Sequence, residues 1–213
     1  MIDGYHDTRL SFDRRRNTVW KALWEYYFKA RVPSDGCVLD LGCGHGEFIN
    51  NVVAKRRIGL DLWDGISSSL ASGVKPIVAS VSDLSAVADD SVDFAFASNL
   101  IEHIPQTEFA KVLEQLSVKL TKRGTLTLIQ PNYRFAYREY FDDYTHVAVY
   151  SHISLADFIE AHGWEIIEVR PRFLPLTVKS RLPVSKLLIR LYLALPFKPM
   201  GKQMLVSARP KRG

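Results

Sequence analysis

Residues 38–48 read Val38-Leu39-Asp40-Leu41-Gly42-Cys43-Gly44-His45-Gly46-Glu47-Phe48, an apolar strand running into a turn with glycines at alternate positions. Gly42, Gly44 and Gly46 permit unusual backbone angles and let a ligand approach main-chain N–H groups closely. Dinucleotide-binding folds share that much, but the third glycine of a G-x-G-x-x-G fingerprint would fall at Glu47. Asp40 also stands inside the strand just before the turn. Carboxylates at this end repel a pyrophosphate and attract an ammonium. The turn therefore suits a ligand with an amino-acid end. Asp61 closes the next strand-like run about 20 residues later, where an acid can accept from both hydroxyls of a ribose.

A second chemical constellation lies in residues 130–146, where six aromatics occur among 17 residues: Tyr133, Phe135, Tyr137, Tyr140, Phe141 and Tyr144. Such rings can stack on a sugar face or roof an apolar acceptor. The segment ends in Asp142, Asp143 and His146. His146 with Asp143 is the leading general-base candidate, since an acid near a histidine holds one tautomer and stabilises the imidazolium. The competing role for this trio is to brace the following helix. No other ligand group accompanies it, so no metal site is expected. His103 is a further candidate, with packing beneath the site as its alternative.

These residues need a frame. Strand-like runs alternate with helix-like segments, the pattern of a parallel sheet covered by helices. An amphipathic helix is expected over 17–30, carrying Trp20, Leu23, Trp24 and Tyr27 at helical spacing. Strands follow at 37–41, 57–61, 75–79, 91–97, 125–130, 164–170 and 203–209. Helices are expected from about Glu47, near 65–71, over 106–120 with Gly124 as its stop, and over 154–162. The long connection before the last strand holds an apolar helix, 184–195, with Lys186 and Arg190 on one stripe. That helix must bury its apolar side on the body, a partner copy or a membrane interface.

The 213 residues suit one domain with a sizeable core, with 1–30 as an N-terminal helical lid (Tyr5, His6, Phe12) and 171–202 as a basic apolar insertion. Net charge is +5, unevenly spread: from Val169 onward there are eleven Lys or Arg and no acid, while the rest holds 17 basic and 23 acidic residues. A basic segment on an acidic body suggests an anionic partner, with membrane-surface contact through 174–202 as one form of it. No apolar run approaches the roughly 20 residues of a membrane span. Cys37 and Cys43 are expected to be reduced, and the protein cytoplasmic, with a peripheral place on the inner membrane face if the insertion meets lipid.

The glycine turn, Asp61, the segment Ala79-Ser80-Val81-Ser82-Asp83-Leu84 and the segment Ala97-Ser98-Asn99-Leu100-Ile101-Glu102-His103-Ile104 together resemble the class I S-adenosylmethionine-dependent methyltransferases. The likeness runs over 38–130 and again in the final two strands. It implies a Rossmann-like α/β fold with a seven-stranded sheet, mostly parallel, the last strand antiparallel. It also implies that Asp40, Gly42, Cys43, Gly44 and Gly46 hold the amino-acid part of S-adenosylmethionine. Asp61 and Leu62 would meet the ribose, and Ser98 and Asn99 the methionine moiety. Many relatives carry an acid where Ser80 stands, leaving Val81, Ser82 and Asp83 to meet the adenine.

The helix at 17–30, the loop at 142–146 and the tail are similar to a bacterial group of methyltransferases encoded among polysaccharide-biosynthesis functions. That similarity implies O-methylation of a sugar hydroxyl in a glycan or glycan precursor. Two alternatives are a methyltransferase for a small aromatic or lipid-like metabolite, and a non-catalytic binding module that keeps the cofactor fold. A homodimer would also cover the apolar helix. Nucleic acid is not the expected partner, because no Asn-Pro-Pro-Tyr-type signature follows the fourth strand.

Overall fold

The computed structural model describes residues 14–175 and 185–212. The lid residues Tyr5, His6 and Phe12, and 176–184 of the insertion, lie outside them. Seven strands form one sheet: β1 (Cys37–Leu41), β2 (Arg56–Asp61), β3 (Val74–Val78), β4 (Val92–Ser98), β5 (Leu120–Pro131), β6 (Trp164–Pro175) and β7 (Gly201–Pro210). Their order is β3-β2-β1-β4-β5-β7-β6. The first five pair in parallel, while β7 runs antiparallel to both β5 and β6. The fold is the Rossmann-like sheet expected.

Side chains on alternate strand positions face opposite sides, and both sides are apolar. Along β4, Phe94 and Phe96 join one core while Ala95 and Ala97 join the other. The second core is closed by α3 (Gln106–Lys119) and α5 (His152–Ala161), through Phe109, Leu113, Leu116, Leu155 and Ile159; the single-turn helices α2 (Ile66–Ser69) and α4 (Tyr133–Ala136) precede them along the chain. The first is aromatic. It is closed by α1 (Arg14–Leu23), which widens into a π turn over Trp24–Phe28 and buries Trp24, Tyr27 and Phe28. Phe28 meets Phe48 at 5.2 Å and Phe96 at 5.4 Å, and Trp20 meets Phe48 at 5.8 Å. The N-terminal helix thus braces the residue that closes the glycine turn. Phe28→Ala should cost about 3–5 kcal/mol, read as a lower urea midpoint, with a secondary loss of order around Phe48.

Three expectations are corrected. No helix starts at Glu47: the chain makes turns and a short 3₁₀ segment, Ile49–Asn51, before becoming extended at Val52. Asn51 Nδ2 donates to Glu47 O at 2.8 Å, and Asn50 bonds Ser69 O at 3.0 Å and Ala71 N–H at 2.7 Å. Those side chains compete with helical main-chain bonds. Gly124 is not the stop of α3, which ends at Lys119 as the chain goes straight into β5. Gly124 lies inside that strand, where a Cβ would fall 2.7 Å from Val92 O. β6 also continues past Arg170 to Pro175.

In the insertion, α6 (Lys186–Ala194) starts at Ser185, whose Oγ accepts from Leu188 N–H at 3.3 Å. Lys198 Nζ closes its far end, donating to the carbonyls of Tyr192 at 2.8 Å and Leu193 at 2.9 Å, where a cation also meets the negative end of the helix dipole. Lys186 pairs with Glu25 at 2.6 Å, and Arg190 lies over the Tyr26 ring. Tyr192 and Leu193 touch the aromatic core, while Leu187, Leu188, Leu191 and Leu195 are exposed. Among the described residues, no helix is long and apolar enough to cross a membrane.

Candidate active site

Open parallel sheets bind ligands at the carboxyl ends of their strands, beside the point where strand order reverses. Here that point lies between β1 and β4. Gly42, Gly44 and Gly46 all take positive φ, +63°, +52° and +74°, which L side chains adopt only under strain. Packing adds a second reason at two of them. A Cβ on Gly42 would stand 2.8 Å from the Leu100 side chain, and one on Gly46 2.6 Å from Leu70. Gly44 is buried, yet no described residue comes within 4 Å of where its Cβ would stand.

The turn is fastened to β2. Cys43 N–H donates to Leu60 O at 3.1 Å. Gly44 N–H donates to Asp61 Oδ2 at 2.8 Å, and Trp63 N–H to Asp61 Oδ1 at 2.9 Å. Asp61 is buried and so is Asp40, which accepts from the Ile49 main-chain N–H. Burial holds the Asp40 carboxyl well above the usual carboxylate range, and the nearby charges of Asp61 and Glu47 add to this. Glu47 receives Arg16 at 2.6 Å. The Cys43 thiol is buried, which pushes its pKa up and leaves it a packing group. Leu62 is half exposed. A turn flanked by the buried carboxyls of Asp40 and Asp61 fits a ligand carrying an ammonium and a diol, and opposes a pyrophosphate.

Beyond β3, Val81 is buried. Ser82 Oγ donates to Glu108 Oε1 at 2.8 Å and lies 2.9 Å from Ser80 Oγ. The Asp83 side chain instead faces outward and accepts from Ser85 N–H at 3.1 Å. Glu108 was not singled out in the sequence, yet it puts a carboxylate beside Ser80, where the acid of many relatives is missing. Its signal was an acid in the first turn of α3. At the end of β4, Asn99 adopts φ +48°, a conformation asparagine tolerates better than most residues. Its N–H donates to Ile129 O at 2.8 Å, its Oδ1 accepts from Gln203 at 2.8 Å, and its Nδ2 reaches Ser98 Oγ at 3.2 Å.

The three expected catalytic residues come together. Val147 N–H and Ala148 N–H both donate to Glu102 O, at 2.8 and 3.1 Å, which ties the loop after β5 to the loop after β4. The His103 and His146 rings then lie 4.8 Å apart, with Tyr140 4.6 Å from His146. Asp143 reaches His103 through Thr145: Thr145 Oγ1 donates to Asp143 Oδ1 at 2.6 Å and lies 2.9 Å from His103 Nδ1. Burial works against ionisation of Asp143, but the Thr145 hydroxyl and N–H, with the two imidazoles, hold its carboxyl below the usual range. Burial, then His146, pushes His103 down to about 4. His103 is therefore a neutral imidazole at neutral pH.

Glu102, just past the end of β4, is a member of this group that its sequence context conceals. It is buried, neither carboxyl oxygen has a hydrogen-bond partner among the described residues, and burial pushes it up to about 8. Its side chain and those of His103 and His146 bring one ligand atom each within 4.8 Å of one another. The companions that the 142–146 segment lacked in sequence come from the end of β4. Around this group Tyr137, Phe141 and Tyr144 are exposed.

Residues 12–169 match the family model described as Methyltransferase domain. Solved structures share the fold. One is a SAM-dependent methyltransferase of Archaeoglobus fulgidus, 21% identical, TM-score 0.67, covering 96% of each chain. A second, a SAM-dependent methyltransferase of Thermotoga maritima, is 19% identical with TM-score 0.68, over 92% of this chain and 91% of that one. A third, from Mesorhizobium loti, is 19% identical with TM-score 0.62, over 88% and 97%. No curated relative matches the sequence.

Proposed function

Because the chain belongs to the methyltransferase-domain family, with S-adenosylmethionine as its cofactor, we propose that it methylates a hydroxyl oxygen, the acceptor being a sugar of a glycan or glycan precursor. The observation that carries this reading is the Asp143–Thr145–His103 relay standing against His146 beside the cofactor turn. Bound S-adenosylmethionine supplies a methyl carbon already activated on a sulfonium, so the protein's work is orientation, exclusion of water and removal of the acceptor proton. Asp40 and the Gly42–Gly46 turn receive the ammonium end. Asp61 accepts from the ribose hydroxyls, and Ser82, Glu108 and the main chain at Val81 and Asp83 face the adenine. A histidine as hard to protonate as His103 is a poor resting place for a proton. His146 therefore takes the base role and His103 positions it.

The exposed rings of Tyr137, Phe141 and Tyr144 support a sugar or other flat acceptor at the rim. The outward Leu187, Leu188, Leu191 and Leu195 of α6 favour, as a second reading, a lipid-like acceptor presented at a membrane surface, or a second copy covering that face.

Calorimetric titration with S-adenosylmethionine, with NADH as control, tests the donor site, and labelled-methyl transfer to glycan, phenolic and lipid acceptors tests the rest. Label entering only the phenolic or lipid set would overturn the sugar reading. The donor site carries a pH signature. A free protein whose Asp40 pKa is raised holds a proton that an ammonium partner expels. Affinity should therefore rise with pH until the ligand's own amine deprotonates near about pH 8, and Asp40→Asn should flatten the rise. A pH-independent affinity in the unaltered protein would remove Asp40 from the ammonium site.

A further inference from the structure

Glu102 poses a problem that methyl-donor binding does not solve. It is a buried carboxyl group, and among the described residues neither oxygen has a hydrogen-bond partner. Such a group is held neutral when left alone, and a cation bound against it takes the place of its proton. An imidazole nitrogen of His103 and one of His146 lie within 4.8 Å of a Glu102 carboxyl oxygen. A Thr145 hydroxyl has one proton, and it goes to Asp143 Oδ1. Thr145 Oγ1 must then accept from His103 Nδ1–H at 2.9 Å, which leaves the lone pair on His103 Nε2. A carboxylate–hydroxyl–imidazole chain that fixes the tautomer of a histidine is the arrangement found behind metal-bound imidazoles. Two histidines and one carboxylate, contributed from two loops that are bonded main chain to main chain, are the donor types of a facial ligand set.

We infer that Glu102, His103 and His146 bind one divalent transition-metal ion, whose open positions take the hydroxyl oxygens of the acceptor. The ligand atoms lie within 4.8 Å of one another. Neighbouring ligands of a facial set with bonds of 2.0–2.2 Å stand about 3 Å apart, so closure draws the three side chains together by rotamer changes of roughly 1–2 Å. Imidazole nitrogens favour manganese, cobalt or zinc over magnesium or calcium, which take oxygen ligands. Two open positions suit adjacent hydroxyls of a sugar, and here the inference rests on the acceptor reading given above. With the ion in place His146 is a ligand and no longer the base. A coordinated hydroxyl loses its proton to solvent water more readily. Its oxygen then bonds the methyl carbon as the carbon–sulfur bond breaks, the electron pair staying on sulfur.

The test uses the full chain stripped with EDTA and titrated with cobalt(II) and manganese(II) salts, following visible cobalt absorption and binding heat. One ion per chain is expected. His146→Ala and the near-isosteric Glu102→Gln should each weaken cobalt binding at least tenfold. Thr145→Val, which touches no ion, should weaken it about tenfold by releasing the His103 tautomer. Circular dichroism of each variant separates lost ligands from lost fold. Absence of binding to the unaltered protein overturns the inference, as does binding that all three variants retain. S-adenosylmethionine titrated into the same samples separates the two claims: donor binding without cobalt binding overturns the ion alone, and cobalt binding without donor binding overturns the donor site alone.

Discussion

Asp61→Ala is expected to weaken S-adenosylmethionine binding by roughly 10- to 100-fold, on the order of 1.5–3 kcal/mol for hydrogen bonds to a charged acceptor. The loss has two sources. Under the proposed assignment the ribose hydroxyls lose their acceptor, and Gly44 N–H and Trp63 N–H lose theirs, at 2.8 and 2.9 Å. Since Gly44 is the crest of the turn at φ +52°, freeing it also relaxes the shape that receives the amino-acid end. Stability should fall by about 1–3 kcal/mol for the buried donor left unpaired, visible in the urea midpoint. Asp61→Asn keeps one carbonyl acceptor and should lie between the two. Unchanged affinity in Asp61→Ala, measured by calorimetry, would remove Asp61 from the ribose site.

His146→Ala should leave donor affinity within about twofold while turnover falls on the order of 10²- to 10⁴-fold, the range for loss of a positioned proton acceptor or its equivalent. The two readouts diverge because His146 sits on the loop after β5, which meets the end of β4 through Val147, Ala148 and Thr145 and supplies none of the proposed donor contacts. Thr145→Val should reproduce part of the loss through His103. If His146→Ala retains full turnover in a labelled-methyl assay, the residue merely packs against Tyr140 and His103.

How far the molecule could be read from its sequence depended on distance along the chain. The meeting of Asp40, the three glycines and Asp61 at one turn was legible because a strand, a turn and the next strand fix their relation locally. The sheet was legible because alternating apolar runs leave few arrangements. The helix at Glu47 was misread because apolar spacing is silent about Asn50 and Asn51, whose side chains take over the main-chain partners. Glu102 was passed over for a different reason. A glutamate in an apolar segment looks like a surface residue until the loop after β5 folds across it. That crossing rests on two main-chain N–H groups, which carry no sequence signature. The same holds for Thr145, whose importance lies in a single proton shared between Asp143 and His103.

The place of β7 bears on how the protein is made. β6 is held in the sheet by β7, and β7 is the element inserted between β6 and β5. During synthesis the chain emerges from its N-terminal end, so β5 offers a bare edge and β6 has no partner until residues 201–210 leave the ribosome. An unpaired strand edge is a template for association with other chains. The cell's exposure to that risk is set by the time taken to translate the basic segment between β6 and β7.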